Sequence, residues 1–375
     1  MKILLVCAGN SYQSTVIYAD NLCKILIESN KIEKIDIIYN GRLIEGNSNG
    51  FLFKTKPALS RLKLSIVFVR SYLLLTRITK NYDIVHITSQ RLGLLALNNK
   101  QFLITYHDVF PYTFNILKDK ELVKLYNHGI LIRLRHVLFL LTTRFNGFRK
   151  VFFISVSHYT ESQVSFILRY STELMTVIPF PILIYNSPNK IDIRKKYNIP
   201  NASIIVLFVG TDEPRKNSKL KYGIINSDLQ NFYFINIGPL NKDSIAYSAR
   251  GRLLSLTNIG KNELQDIYNI ADIYISPSFD EGFDVPILEA FFSNTLVVCS
   301  DIPVHHEIMG ENAIFFNQYD LEDLKDKLRA FSSIKSISLF KLKNHENKLL
   351  REYSPEVIRE KFLQTYENIS KSSKI

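Results

Sequence analysis

In ADIYISPSFDEGFDVPILEAFF, residues 271–292, a short run rich in β-branched and aromatic side chains breaks at Ser276-Pro277-Ser278. A second apolar run then starts around a proline. The first run reads as a buried strand. The second reads as a helix, because Pro286 suits a first-turn position and Asp284 stands where a side-chain cap belongs. Between them Glu281-Gly282-Phe283 must turn the chain sharply. Glu281 is therefore expected at the carboxyl end of the strand, facing a cleft, with Glu289 about a turn inside the helix.

The same strand-to-helix step recurs on both sides of this stretch, the pattern of a parallel sheet with helices on both faces. Towards the C-terminus the strand candidates are SIIVLFVG, FYFINIG, RLLSLTNIG, ADIYISPS, TLVVCSD and AIFFN. In the first half they are KILLVCA, KIDIIYN, YDIVHIT, FLITYHD and KVFFISVS. Helical segments such as STVIYADNLCKILIESN and KELVKLYNHGILIRLRHVLFLLTTRF separate them. The Pro-, Asn- and Ser-rich segment FPILIYNSPNKIDIRKKYNIPNAS interrupts the alternation and reads as a connection carrying a short helix. The expected organisation is α/β: two Rossmann-like doubly wound domains, 1–185 and 186–353, facing a central cleft, with a last helix at 354–375 packing back on the first. Ligands of such sheets bind outside the carboxyl ends of the strands.

The 375 residues, 46% of them hydrophobic, suffice for two cores. Cys7, Cys23 and Cys299 have neither disulfide-framework nor zinc-module spacing, which points to a reducing, cytosolic setting. MKILLVCAGNS begins a strand at once and is not expected to be a secretory leader. Arg70 and Arg144 break the longest apolar runs short of the roughly 18 residues a spanning helix needs.

The net charge of +12 is uneven. Residues 1–190 carry 24 Lys and Arg against 11 Asp and Glu, a net of +13, and the remainder 23 against 24, a net of −1. Lys54, Lys56, Arg61, Lys63, Arg70, Arg77 and Lys80 fall in a stretch with no acid, interleaved with apolar residues. Residues 54–80 thus read as a surface for an anionic membrane, with a plain solvated basic face as the alternative. No motif supports nucleic acid as a partner.

Three further features bear on chemistry. VLFVGTDEPRKNSKL runs a strand into a glycine turn at Gly210, then places Arg215 and Lys216 at a helix entrance. Adjacent cations there suit a diphosphate. ITYHDVFP places His107 directly after a strand, where it either meets substrate or is a satisfied structural histidine. His305-His306-Glu307 has the wrong spacing for a helix-borne metal pair and reads as a loop. No Asp-x-Asp triplet of the metal-dependent kind accompanies these features.

Taken together, YISPSFDEGFDVPILEAFFSNTLVVCSD, FVGTDEPRKN, YHDVFP and ISVSHYTES, in that family's order along the chain, resemble the glycosyltransferase group 1 family, retaining sugar-nucleotide enzymes of the GT-B fold. The resemblance implies that Glu289 binds the nucleotide ribose and that Glu281 binds the donor sugar beside the Gly282 and Phe283 backbone. It implies that Arg215 and Lys216 neutralise the diphosphate of a UDP- or GDP-sugar, beside Gly210, and that His107 lies at the reaction centre. Gly9 and Asn10 are expected near acceptor or phosphate. No cofactor and no metal are expected, and the acceptor is a glycan or a lipid-linked glycan. The chain departs from the family pattern at Asp284, where a glycine is common, and at Asn294 and Leu296. An inactive sugar-nucleotide-binding protein of the same fold is the alternative reading, and the lack of a Gly-x-Gly-x-x-Gly turn after the first strand counts against a dinucleotide enzyme.

Overall fold

The structure, a computed structural model, describes residues 1–8, 14–46, 64–96, 102–109, 151–168, 172–184, 190–241, 245–246, 249, 251–331, 337 and 347–373. The helix expected over 120–145 lies outside them, as do Gly9, Asn10, Lys54, Lys56, Arg61 and Lys63. The described residues divide into two units. One holds those up to Pro181 and from Arg351 onward, the other those of Ile182–Leu350.

The first unit is built on strands β1 (Lys2–Cys7), β2 (Lys34–Tyr39), β3 (Arg42–Glu45), β4 (Ile84–Ile87), β5 (Phe102–Tyr106), β6 (Phe152–Ser155) and β7 (Met175–Val177). Their order is β3-β2-β1-β4-β5-β6-β7, parallel except for the β2–β3 hairpin. Asn40-Gly41 closes that hairpin with φ of +48° and +75°, the left-handed pair that a two-residue turn requires. The central strands are apolar on both faces, since Leu4, Val6, Val85 and Ile104 are buried on one side and Ile3, Leu5, Ile84 and Leu103 on the other. A parallel sheet covered on both sides produces this pattern.

Two helices of this unit recur below: α1 (Ser14–Ile27) and α2 (Leu64–Ile78). The chain's last helix, Pro355–Ser373, also belongs to the first unit and packs against α1. Its Ile358, Phe362, Leu363, Tyr366 and Ile369 form one buried stripe at helical spacing. Tyr366 Oη lies 2.8 Å from His86 Nδ1, while His86 Nε2 lies 2.7 Å from Thr105 Oγ1. Burial, with His107 nearby, lowers the His86 pKa to about 3, so this ring is a neutral link between sheet and helix. Arg359 donates to Glu28 at 2.7 Å and Lys31 to Glu367 at 2.9 Å on the rim of the same contact.

The second unit carries β8 (Ile204–Val209), β9 (Phe232–Ile237), β10 (Leu253–Leu256), β11 (Ile273–Ser276), β12 (Leu296–Ser300) and β13 (Ile314–Phe316). The sheet is parallel, in the order β10-β9-β8-β11-β12-β13. The chain steps from β8 outward to β10, then returns to the other side of β8 with β11. Strand order therefore reverses between β8 and β11, where a crevice opens at the carboxyl ends of an open α/β sheet.

The antiparallel β3 and the short β7 are absent from the strands expected on sequence. Asn40-Gly41 signals the first, whereas β7 spans only three half-buried residues with no alternation to reveal it.

Candidate functional site

The crevice at β8 and β11 is a solvent-open concavity of about 310 Å³. Its lining includes Gly210, Lys216, Lys221, Asn236, Tyr274 and Ser276. At its floor two strand ends press together. Gly238 has φ +124°, and a Cβ placed on it would stand 2.0 Å from the Gly210 carbonyl oxygen. Only glycine permits this approach.

After Gly210 the chain makes one 3-10 turn over Pro214–Lys216 and then enters α3 (Ser218–Ile225), whose cap Asn217 accepts from Leu220 N–H at 3.3 Å. The turn is tied to the loop behind β11 because Phe279 N–H donates to Arg215 O at 2.9 Å. Two cations are thereby delivered to two acids. Arg215 Nη1 donates to Asp280 O at 3.1 Å and pairs closely with Glu281. Lys216 Nζ stands 2.6 Å from Glu281 Oε1 and 3.2 Å from Asp284 Oδ1. Ser278 Oγ donates to Glu281 Oε1 at 2.8 Å. Burial disfavours the Lys216 ammonium, but Asp284 and Glu281 outweigh it and raise the pKa. The lysine is therefore a fixed positive charge. Deeper in the crevice Lys221 is buried and donates to Asp212 Oδ1 at 2.9 Å.

Asp284 corrects one expectation. It occupies the cap position of α5 (Val285–Phe292) in the left-handed region, φ +63°, and makes no side-chain cap bond. Its carboxylate instead turns into the cluster, accepting from Ser276 Oγ at 2.5 Å and from Lys216. Burial opposes the charge, yet Lys216 and His305 hold the Asp284 carboxyl far below the usual carboxylate range.

His305 corrects another. The His305-His306-Glu307 run is not a loop but part of helix α6 (Pro303–Met309), started by Pro303 in its first turn. His305 points into the protein and meets Asp284, while His306 pairs at the surface with Asp301 at 2.5 Å. Among the described residues no group of three or more His, Cys, Asp or Glu side chains is placed to hold a metal ion.

Glu289 sits on α5 and accepts from Tyr268 Oη at 2.9 Å, a tyrosine carried by α4 (Lys261–Ile270). Burial raises the Glu289 pKa. No hydrogen bond joins it to the Arg215 cluster among the described residues, but Asp284, Glu281 and Glu289 all act on the buried Tyr274 phenol and, after burial itself, raise its pKa. Gly282 and Phe283 are buried in the turn. His107 lies in the other unit at the end of β5, where its Nε2–H donates to the Thr88 carbonyl at 2.8 Å and burial lowers its pKa. The ring is neutral.

The family model described as glycosyl transferases group 1 matches residues 189–347. Those residues are a group 1 glycosyl transferase domain. The chain is also 28% identical over 298 residues to the O-antigen chain mannosyltransferase RfbU of Salmonella typhimurium, covering 73% of this chain and 75% of that one. Sucrose-phosphate synthase from Thermosynechococcus elongatus superimposes over 99% of this chain and 100% of its own, with TM-score 0.76 and 16% identity. Anabaena HepE, solved in complex with UDP-glucose, matches 98% of this chain and 100% of its own, with TM-score 0.70 and 12% identity. The fold is GT-B. Within the transferase domain, the sequence reading took Asp284 for a cap and His305 for a loop residue, and did not single out Lys221, Tyr268 or the Gly238 contact. Of these last three only Gly238 left a sequence signal, since VLFVG and FINIG both end in glycine.

Proposed function

We propose that this chain is a retaining glycosyltransferase, moving a hexose from a UDP- or GDP-sugar to a glycan or lipid-linked acceptor with no bound metal. The observation that carries the reading is the Arg215–Lys216 pair held at the carboxyl ends of β8 and β11, beside Gly210. Breaking the bond from the sugar to the diphosphate moves negative charge onto the leaving group. Cations already in place stabilise that charge without reorganising. On donor binding Lys216 and Arg215 turn to the diphosphate, Glu281 accepts from sugar hydroxyls and Glu289 from the ribose. The acceptor attacks from the face the diphosphate leaves, and its proton passes to the departing phosphate oxygen. The assignment of His107 to the hexose rests on the resemblance alone, and its neutral ring acts there as a hydrogen-bonding group. The name of the Salmonella relative, a mannosyltransferase of an O-antigen chain, favours mannose and a polysaccharide acceptor.

Thermal melting with UDP-, GDP- and ADP-sugars tests the donor site. A matching donor at 100 times its Kd should stabilise the fold by about 2.7 kcal/mol. Stabilisation by none of them refutes the reading. Stabilisation without transfer of labelled hexose selects the inactive sugar-nucleotide-binding alternative.

The chain works peripherally at the cytoplasmic face of a membrane. On α2, Val69 and Leu73 are 54% and 50% exposed beside Arg70 and Arg77, with Lys80 following. Apolar side chains flanked by basic ones suit an anionic bilayer surface. Among the described residues no helix is long and apolar enough to cross a bilayer. In flotation, the protein should rise with vesicles containing anionic lipid and lose them as salt increases, and equal absence from anionic and neutral vesicles refutes this placement.

A further inference from the structure

His305 is wholly buried, and both of its ring nitrogens face oxygen atoms that accept. Nδ1 is 2.9 Å from the Ser300 carbonyl, which has no proton to give. Ser300 Oγ, 3.2 Å from the same nitrogen, spends its own proton on the Ser278 carbonyl at 2.6 Å. Nε2 is 3.2 Å from Asp284 Oδ2, and that carboxylate already accepts hydrogen bonds from Ser276 Oγ and Lys216 Nζ. A histidine that donates from both nitrogens is an imidazolium. A chain of alternating charge therefore runs to the crevice-lining Lys216: His305, Asp284, Lys216, Glu281, Arg215.

We infer that His305 is a positioning residue for the diphosphate, carrying the counter-charge of Asp284 so that Lys216 is released to the ligand. This rests on the reading of Lys216 as a diphosphate group. Without the imidazolium, the Asp284 carboxylate has Lys216 as its single cationic partner, and a phosphate must compete with a buried anion for it. With it, Asp284 keeps a cation when Lys216 swings away. The arrangement explains how a carboxylate is tolerated at the rim of an anion site.

The titratable groups facing the ring are Asp284 on α5 and Cys299 on β12. Burial opposes the imidazolium, but Cys299 and Asp284 raise the His305 pKa to about 10. A folded pKa above the ordinary histidine value contributes stability that is complete below about pH 6.5 and is lost as pH rises through about 10. Diphosphate binding should weaken over the same rise.

The test is calorimetric binding of UDP and of inorganic pyrophosphate at pH 7.5 to the full chain and to His305→Gln, Asp284→Asn, the double variant and Lys216→Ala, each first melted to establish folding. His305→Gln should weaken both ligands about tenfold, the scale of one uncompensated charge beside a binding group. Asp284→Asn should not weaken them, and the double variant should bind at least as well as wild type, because no charge then needs compensation. Should His305→Gln fail to fold, the Asp284→Asn result and the pH profile of the wild type carry the test alone. A merely structural histidine predicts the reverse order, with the double variant no better than His305→Gln, and that result overturns the inference. Weakened binding by Lys216→Ala alongside it leaves the donor-site reading intact. Unaltered binding by Lys216→Ala overturns both.

Discussion

Lys216→Ala is expected to lower kcat/KM for sugar transfer by roughly 10² to 10³, with the protein still folded. The size follows from removing one preorganised charge from a leaving group that develops its own, an effect of about 3–4 kcal/mol in comparable oxyanion sites. Retention of the fold follows from the wiring of the cluster. Glu281 keeps Arg215 and Ser278 when the lysine is gone, and Asp284 keeps His305 and Ser276. Neither carboxylate is left buried without a partner, the condition that makes broken internal ion pairs so costly. Steady-state kinetics with the donor found by melting, read beside the melting temperature, separates the two quantities. A variant with full activity places the diphosphate elsewhere, and a variant that does not fold shows the cluster to be structural.

Gly238→Ala is expected to destabilise the protein by about 3 kcal/mol or more, since the added carbon would meet the Gly210 carbonyl oxygen at 2.0 Å and the residue sits at φ +124°. Backbone cannot rotate out of the way as a side chain does. The strand ends must part, breaking Gly210 N–H to Ile237 O at 3.0 Å and Gly238 N–H to Leu256 O at 2.8 Å. For a unit of this size the melting temperature should fall by on the order of 10 °C. Gly260→Ala is the matched control, because nothing lies within 4 Å of a Cβ there and φ is −72°. Equal melting of the two variants would show that the β8 and β9 ends are looser than described.

Much of this architecture was legible in residue order because parallel strands buried on both faces leave unbroken apolar runs, as in SIIVLFVG and TLVVCSD. Ser276-Pro277-Ser278 and Pro286 marked where a strand stopped and a helix began, and Arg215, Lys216 and Glu281 followed as groups at strand ends. What escaped were relations across the sheet. Asp284 looked like a cap because its neighbours look like a helix start, yet the left-handed backbone aims its carboxylate inward, which no local rule announces. His305 gains its meaning from a residue 21 positions away, and Tyr268 is likewise 21 positions from Glu289. Three-residue β7 is fixed by its neighbour β6, with little in its own composition to mark it.

The position of the last helix has a consequence outside the crevice. Because Pro355–Ser373 completes the unit that holds β1, that sheet and the helix covering it stand far apart in sequence, with the described residues of the second unit between them. During synthesis the described residues of the second unit are made before the buried stripe that His86 and α1 await. Removing Pro355–Ser373 would therefore do more than trim a helix: it would take away Ile358, Phe362 and Tyr366 and bare the apolar surface around His86 and α1 that they cover, far along the chain from the change itself.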